Sequence, residues 1–111
     1  MHKVLFHIDE SIKWKVVIAN VNNLIEDLGQ ENVIVEIVAN GTAVLDYISN
    51  DALINKMNKL AEVNVSFVAC NNALTVHEVK TELLPQNVII VAAGVSEIVK
   101  RQEDGYSYIM P

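Results

Sequence analysis

Apolar residues rich in β-branched side chains recur in short runs along the chain, and stretches of helical periodicity separate them. Lys3 to Ile8, Val33 to Ala39, Asn64 to Cys70 and Asn87 to Val91 read as strands. Val33 to Ala39 is apolar throughout except for Glu36, the pattern of a strand covered on both faces. Ile12 to Leu28 reads as a helix. Val17, Val21, Leu24 and Leu28 recur on one face, and Trp14 and Ile25 widen it. Asp9-Glu10-Ser11 is a turn that offers this helix an N-cap, and Gly29 is placed to end it. Asn20 and Asn23 lie inside it, either solvated and bonded to nearby backbone or facing a subunit interface or site.

After the second strand, Asn40-Gly41 marks a turn. Thr42 offers a cap for a short helix from Ala43 to Ile48. Ser49-Asn50-Asp51 breaks and recaps the chain, and Ala52 to Leu60 follows as another short helix. Two asparagines after Cys70 suggest a turn with positive φ. A helical turn or two is expected from Leu74 to Val79, and a single turn from Thr81 is stopped by Pro85. Val95 to Glu103 forms the last helix, with Val95, Ile98 and Val99 inward and Lys100-Arg101 near its C-terminal end. Gly105 ends it. Tyr106 to Met110 alternates like an edge strand. The second, third and fourth strands each begin Asn-Val and leave through Ala and a small or turn residue. Strands spaced by helical segments imply βα units and a mostly parallel sheet whose exit loops share one edge.

The chain has 111 residues, which predicts one domain over residues 1–111. Apolar residues make up 51% and aromatics 5%, consistent with β-branched strands packed by helices. A net charge of −6 argues against nucleic-acid binding, which needs a basic stripe. No apolar run reaches membrane-spanning length, and the opening stretch is too short for a signal peptide. A cytoplasmic protein with a reduced thiol is the expectation. The single cysteine excludes an intrachain disulfide and any CxxC site.

Cys70 lies where a strand runs into a turn. In parallel α/β sheets that edge holds the ligand crevice. A thiolate there is stabilised by nearby backbone N–H groups, which Asn71 and Asn72 supply if a helix begins at that point. The alternative is that Cys70 is a small buried hydrophobe. His77, seven residues on, either orients the thiol or sits on the surface of an irregular helix. His7 either faces the core or reaches the same crevice. Three His and one Cys without close spacing match no zinc pattern. Neither GxGxxG nor GxxxxGK[ST] occurs, so no nucleotide cofactor is expected. Asp9, Glu10, Glu97 and Glu103 read as caps and solvated faces. Tyr106 and Tyr108 fall on one side of the edge strand and suggest interface or core packing.

These stretches together resemble the DsrE/DsrF-like proteins of sulfur oxidation and sulfur relay, which include the TusBCD group. The resemblance is nearest to the small single-domain branch. It is carried by Trp14 with Asn20, Asn23, Leu24 and Gly29; by Val33 to Gly41; by Val68-Ala69-Cys70 with Asn72; by Leu83-Leu84-Pro85; and by Gly94-Val95 through Ile98, Gln102, Gly105-Tyr106, Tyr108-Ile109 and Pro111. The resemblance implies a three-layer α/β/α fold, a five-stranded sheet of order 4-3-2-1-5, and homotrimers or hexamers. It also implies that Cys70 occupies the position of the persulfide-carrying cysteine. That residue would pass sulfur from a donor protein to an acceptor protein. Asn71 departs from the glycine usual after that cysteine. Asn71, Asn72, Gly41, Gly94 and His77 are the expected lining of the site. The alternatives are an oligomeric module that holds a small ligand in its strand-exit loops, and an assembly subunit without chemistry.

Overall fold

The computed structural model describes residues 1–111. Five strands form one sheet in the order β4-β3-β2-β1-β5: β1 His2–Ile8, β2 Val33–Ala39, β3 Val65–Cys70, β4 Val88–Val91 and β5 Ser107–Ile109. Every pairing is parallel. The helices are α1 Trp14–Leu28, α2 Asp46–Ser49, α3 Asp51–Ala61, α4 Asn71–Val76 and α5 Gly94–Glu103. No helix is long and apolar enough to cross a membrane.

Alternation along the strands sorts the sheet into two faces. Val4, Phe6, Ile8, Val35, Ile37 and Phe67 point into a large core that is closed by Trp14, Val17 and Val21 of α1 and by Leu53 and Met57 of α3. The opposite face carries Leu5, Val38 and Val68, and Ile98 of α5 packs on them. The three layers and the strand order are those expected. Tyr47 is fully buried, and its hydroxyl donates to the Val68 carbonyl at 3.0 Å. Asn50 caps α3 by accepting from the Leu53 N–H at 3.0 Å.

Several local expectations are corrected. The chain enters α1 through a 3₁₀ turn, Ser11–Lys13, that Ser11 does not cap; its hydroxyl donates to Asp46 instead. Thr42 likewise lies inside a 3₁₀ turn, Gly41–Leu45, and accepts from the Ser11 N–H. The helix expected from Leu74 to Val79 begins directly at Asn71 and ends at Val76. Asn71 therefore has no left-handed conformation; the non-glycine residues with positive φ are Asn64 and Glu78. Ala73 and Leu74 are the inward pair of this short helix, so it needs no apolar residue at Asn71 or Asn72. On α5 only Ile98 of the three expected inward residues is buried; Val95 and Val99 are 65% and 55% exposed. A single helix covers this face of the sheet, and its outer flank has no neighbour to pack against.

Candidate functional site

The parallel register fixes what meets at the carboxyl edge of the sheet. Ile8 pairs with Ala39, and Ala39 pairs with Ala69. Asn40 and Cys70 are each the next residue, so they end neighbouring strands side by side. Cys70 also pairs with Val91 of β4. Its backbone is extended at φ −74° and ψ 118°, and it stands as the N-cap of α4. No side chain caps that helix, so the first-turn N–H groups are left without a side-chain acceptor. Cys70 is 7% exposed and belongs to the main core with Ala73 and Leu74. No cavity of the chain is lined by it.

The expected lining residues separate into those that reach this edge and one that does not. Asn71 and Asn72 are exposed in the first turn of α4. Gly41 leaves β2 with φ +52°, and a β-carbon there would overlap the Asp9 carbonyl. Gly94 opens α5, and a β-carbon there would overlap the Asn40 amide. Both glycines therefore permit close approaches between strand-exit loops. His77 is the C-cap of α4, at the other end of the helix from Cys70. Six residues of helix put roughly 9 Å between those ends.

The residue that composition and spacing left ambiguous is His7. It is half-buried on β1 and makes two hydrogen bonds. Its Nε2 lies 2.8 Å from Asn40 Nδ2, and its Nδ1 lies 2.7 Å from the Tyr108 hydroxyl. One pattern of protons satisfies the series. The Asn40 amide donates to an unprotonated Nε2, the Nδ1–H donates to Tyr108, and the Tyr108 hydroxyl donates to Met110 Sδ at 3.4 Å. His7 is thus a neutral imidazole held in one tautomer. Burial lowers its pKa below the ordinary value, and the Asp9 charge opposes that only in part. Asn40 Oδ1 is left buried without a partner, against Gly94. The exit of β2 and strands β1 and β5 thus join Asn40, His7 and Tyr108 in one series of hydrogen bonds, and Asn40 lies beside Cys70 at the end of the neighbouring strand β3. Tyr108 was expected to serve packing, and no sequence signal connects it to His7, 101 positions away.

A second polar group is buried under α5. Glu36 is 5% exposed in the centre of the sheet, and its Oε1 lies 3.2 Å from Arg101 Nε. Arg101 also bonds Glu97 at 3.0 Å, so Glu97 is not the solvated residue its position suggested. As a carboxylate, Glu36 leaves Oε2 buried and unpaired. As a carboxylic acid, it turns a hydroxyl toward Glu97. Burial, reinforced by Glu97, pushes the Glu36 pKa up to about 8, while Glu97 is held low chiefly by that same hydrogen bond. No group of three or more His, Cys, Asp or Glu side chains is placed to hold a metal ion.

The model of the DsrE/DsrF-like family matches residues 9–111. Among solved structures, the chain is similar to the protein of unknown function MTH1491 from Methanobacterium thermoautotrophicum. The identity is 34% over 100% of both chains, with a TM-score of 0.89. No curated protein matches the chain. The parallel order 4-3-2-1-5 agrees with the similarity to MTH1491, and the family match spans every strand and helix after β1. The chain therefore belongs to the DsrE/DsrF-like family.

Proposed function

We propose that the protein is a sulfur carrier of a sulfur relay, with Cys70 as the persulfide acceptor. The observation that supports this most directly is the position of Cys70, between the carboxyl end of β3 and the uncapped first turn of α4. Membership of the DsrE/DsrF-like family supports the sulfur-relay setting. In the reaction, the Cys70 thiolate attacks the outer sulfur of a donor persulfide. A bond forms between Sγ and that sulfur, the donor S–S bond breaks, and the departing donor thiolate takes up the proton that Cys70 lost. No net oxidation occurs. The same displacement by a thiolate of an acceptor protein discharges the carrier. Asn71 and Asn72 contribute backbone N–H groups that favour the sulfur anion. Gly41, Gly94 and His77 border the loops and helix around it.

Cys70 is 7% exposed, so a donor reaches it by a small displacement of the residues over it, with the first turn of α4 still formed to hold the anion. The test is alkylation of the native protein across pH, followed by intact mass after incubation with a small persulfide donor. Modification of the native protein without denaturant, and a mass gain of one sulfur atom that Cys70→Ser abolishes, is the expected result. A thiol that stays inert until the protein is denatured overturns the carrier reading.

A second reading, an oligomeric binding or assembly module without chemistry, is favoured by a separate observation. Ile89, Val95 and Val99 are 51%, 65% and 55% exposed on the α5 side of the sheet. Self-association through this flank, as a trimer or hexamer, would cover them. Light scattering tests it. The expected result is an oligomer that Val99→Asp dissociates, and a monomeric wild-type chain at micromolar concentration rejects it.

A further inference from the structure

Helices α1 and α3 cover the same face of the sheet, and the groove between them carries a charge opposite to that of the chain. Two adjoining cavities open along it. The first, of about 110 Å³, has Trp14, Ile18 and Leu53 at its base and Lys15 and Lys56 at its rim. The second, of about 160 Å³, shares Lys56 and adds Lys59. Helical spacing explains the arrangement. Lys15 and Ile18 fall on one flank of α1, and Lys56 and Lys59 fall on one flank of α3. No carboxylate lines either cavity. The ion pairs of the chain all involve Arg101, so the groove lysines are unpaired. A chain of net charge −6 thus places three of its eight basic residues along one acid-free groove.

We propose that this groove docks an acidic peptide segment of a partner protein. One aliphatic side chain of the segment enters the cavity floored by Trp14, Ile18 and Leu53, and flanking carboxylates pair with Lys15, Lys56 and Lys59. Charge complementarity selects the partner's sign. The apolar floor selects a side-chain anchor over a phosphate. A cavity of about 150 Å³ holds benzene, so 110 Å³ suits a branched aliphatic group. The negative charge over the rest of the surface repels a long polyanion.

The chain supplies its own reporter. Trp14 is its only tryptophan, lines the first cavity, and is fixed by an Nε1–H bond to the Ala43 carbonyl at 2.9 Å. The experiment titrates the full-length protein with a capped peptide, Glu-Asp-Glu-Leu-Asp-Glu, and follows Trp14 emission. A saturable change that weakens with salt is expected. Replacing the peptide's Leu by Gly should weaken binding about tenfold. Lys56→Glu should weaken it about tenfold as well, whereas Lys100→Glu, on α5, should leave it unchanged. Circular dichroism confirms that each exposed-lysine variant is folded. The proposal is overturned by absence of a saturable change, by affinity indifferent to Lys56→Glu or to the Leu-to-Gly exchange, or by tighter binding of a single-stranded oligothymidylate. A change of oligomeric state on Lys56→Glu also overturns it, because the groove would then be an interface between copies.

Discussion

The side-chain amide of Asn40 occupies the volume in which any residue other than glycine at position 94 would carry its β-carbon. This contact joins the exit of β2 to the start of α5, and it holds the amide that donates to His7. Gly94→Ala is therefore expected to destabilise the protein by about 1–3 kcal/mol. Most of that loss should be recovered when Asn40→Ala is added, because the partner of the clash is then gone. A double-mutant cycle by urea denaturation checks it. Additive losses would mean that the two residues do not share the space.

His7 should titrate below the ordinary histidine value of about 6.5 in a nuclear magnetic resonance pH series, with the Nδ1–H tautomer in the neutral state. The folded pKa is lowered by burial. Its contribution to stability is thus complete above the unfolded value of about 6.5 and fades as pH falls through the lower folded value. Tyr108→Phe removes the acceptor for the Nδ1–H and should alter the tautomer ratio without unfolding the chain. An unchanged tautomer signature would show that Tyr108 does not set it.

Glu36 acts in the opposite sense. Its folded pKa of about 8 exceeds the ordinary carboxyl value, so between those two pH values the folded state holds the extra proton. Stability then declines as pH rises from the ordinary carboxyl range to about 8 and levels off above it. Glu36→Gln mimics the protonated acid and should abolish that decline. Relative to wild type, the variant should gain on the order of 1–3 kcal/mol between pH 5 and pH 9. Urea midpoints measured across that range decide it. A constant difference between the two proteins would mean that Glu36 is ionised throughout.

Tyr47→Phe should cost about 1–2 kcal/mol, because the buried Val68 carbonyl loses the hydroxyl it accepts from. Thermal unfolding measures the loss. Persulfide formation at Cys70, compared on the same samples, should be unaffected. A loss of transfer greater than the loss of folded protein would connect this bond to the site.

Local patterning was sufficient wherever one residue's environment could be inferred from its near neighbours. The continuous apolar run predicted β2 with the bounds observed, Val33–Ala39, because a strand covered on both faces has no polar alternation to misread. The Ser49-Asn50-Asp51 break announced the start of α3, and Asn50 is the one of the three that caps it, since an N-cap acts within its own first turn. The same locality misled at Asn71 and Asn72. Their turn propensity was overruled by Ala73 and Leu74, which bury against the core and carry the helix up to the end of the strand. Ser11 and Thr42 were overruled by partners more than 30 positions away.

The amino-acid sequence by itself determined the parallel α/β class, most of the strand and helix bounds, and the junction at which Cys70 stands. Hydrophobic periodicity and cap chemistry act over a few residues. Only the tertiary structure decided that His7 meets Asn40 and Tyr108, that Glu36 shares Arg101 with Glu97, and that the lysines of α1 and α3 face one groove. Those juxtapositions follow from strand order and register, which bring together residues far apart in the chain, and from desolvation, which changes the protonation of whatever the packing encloses.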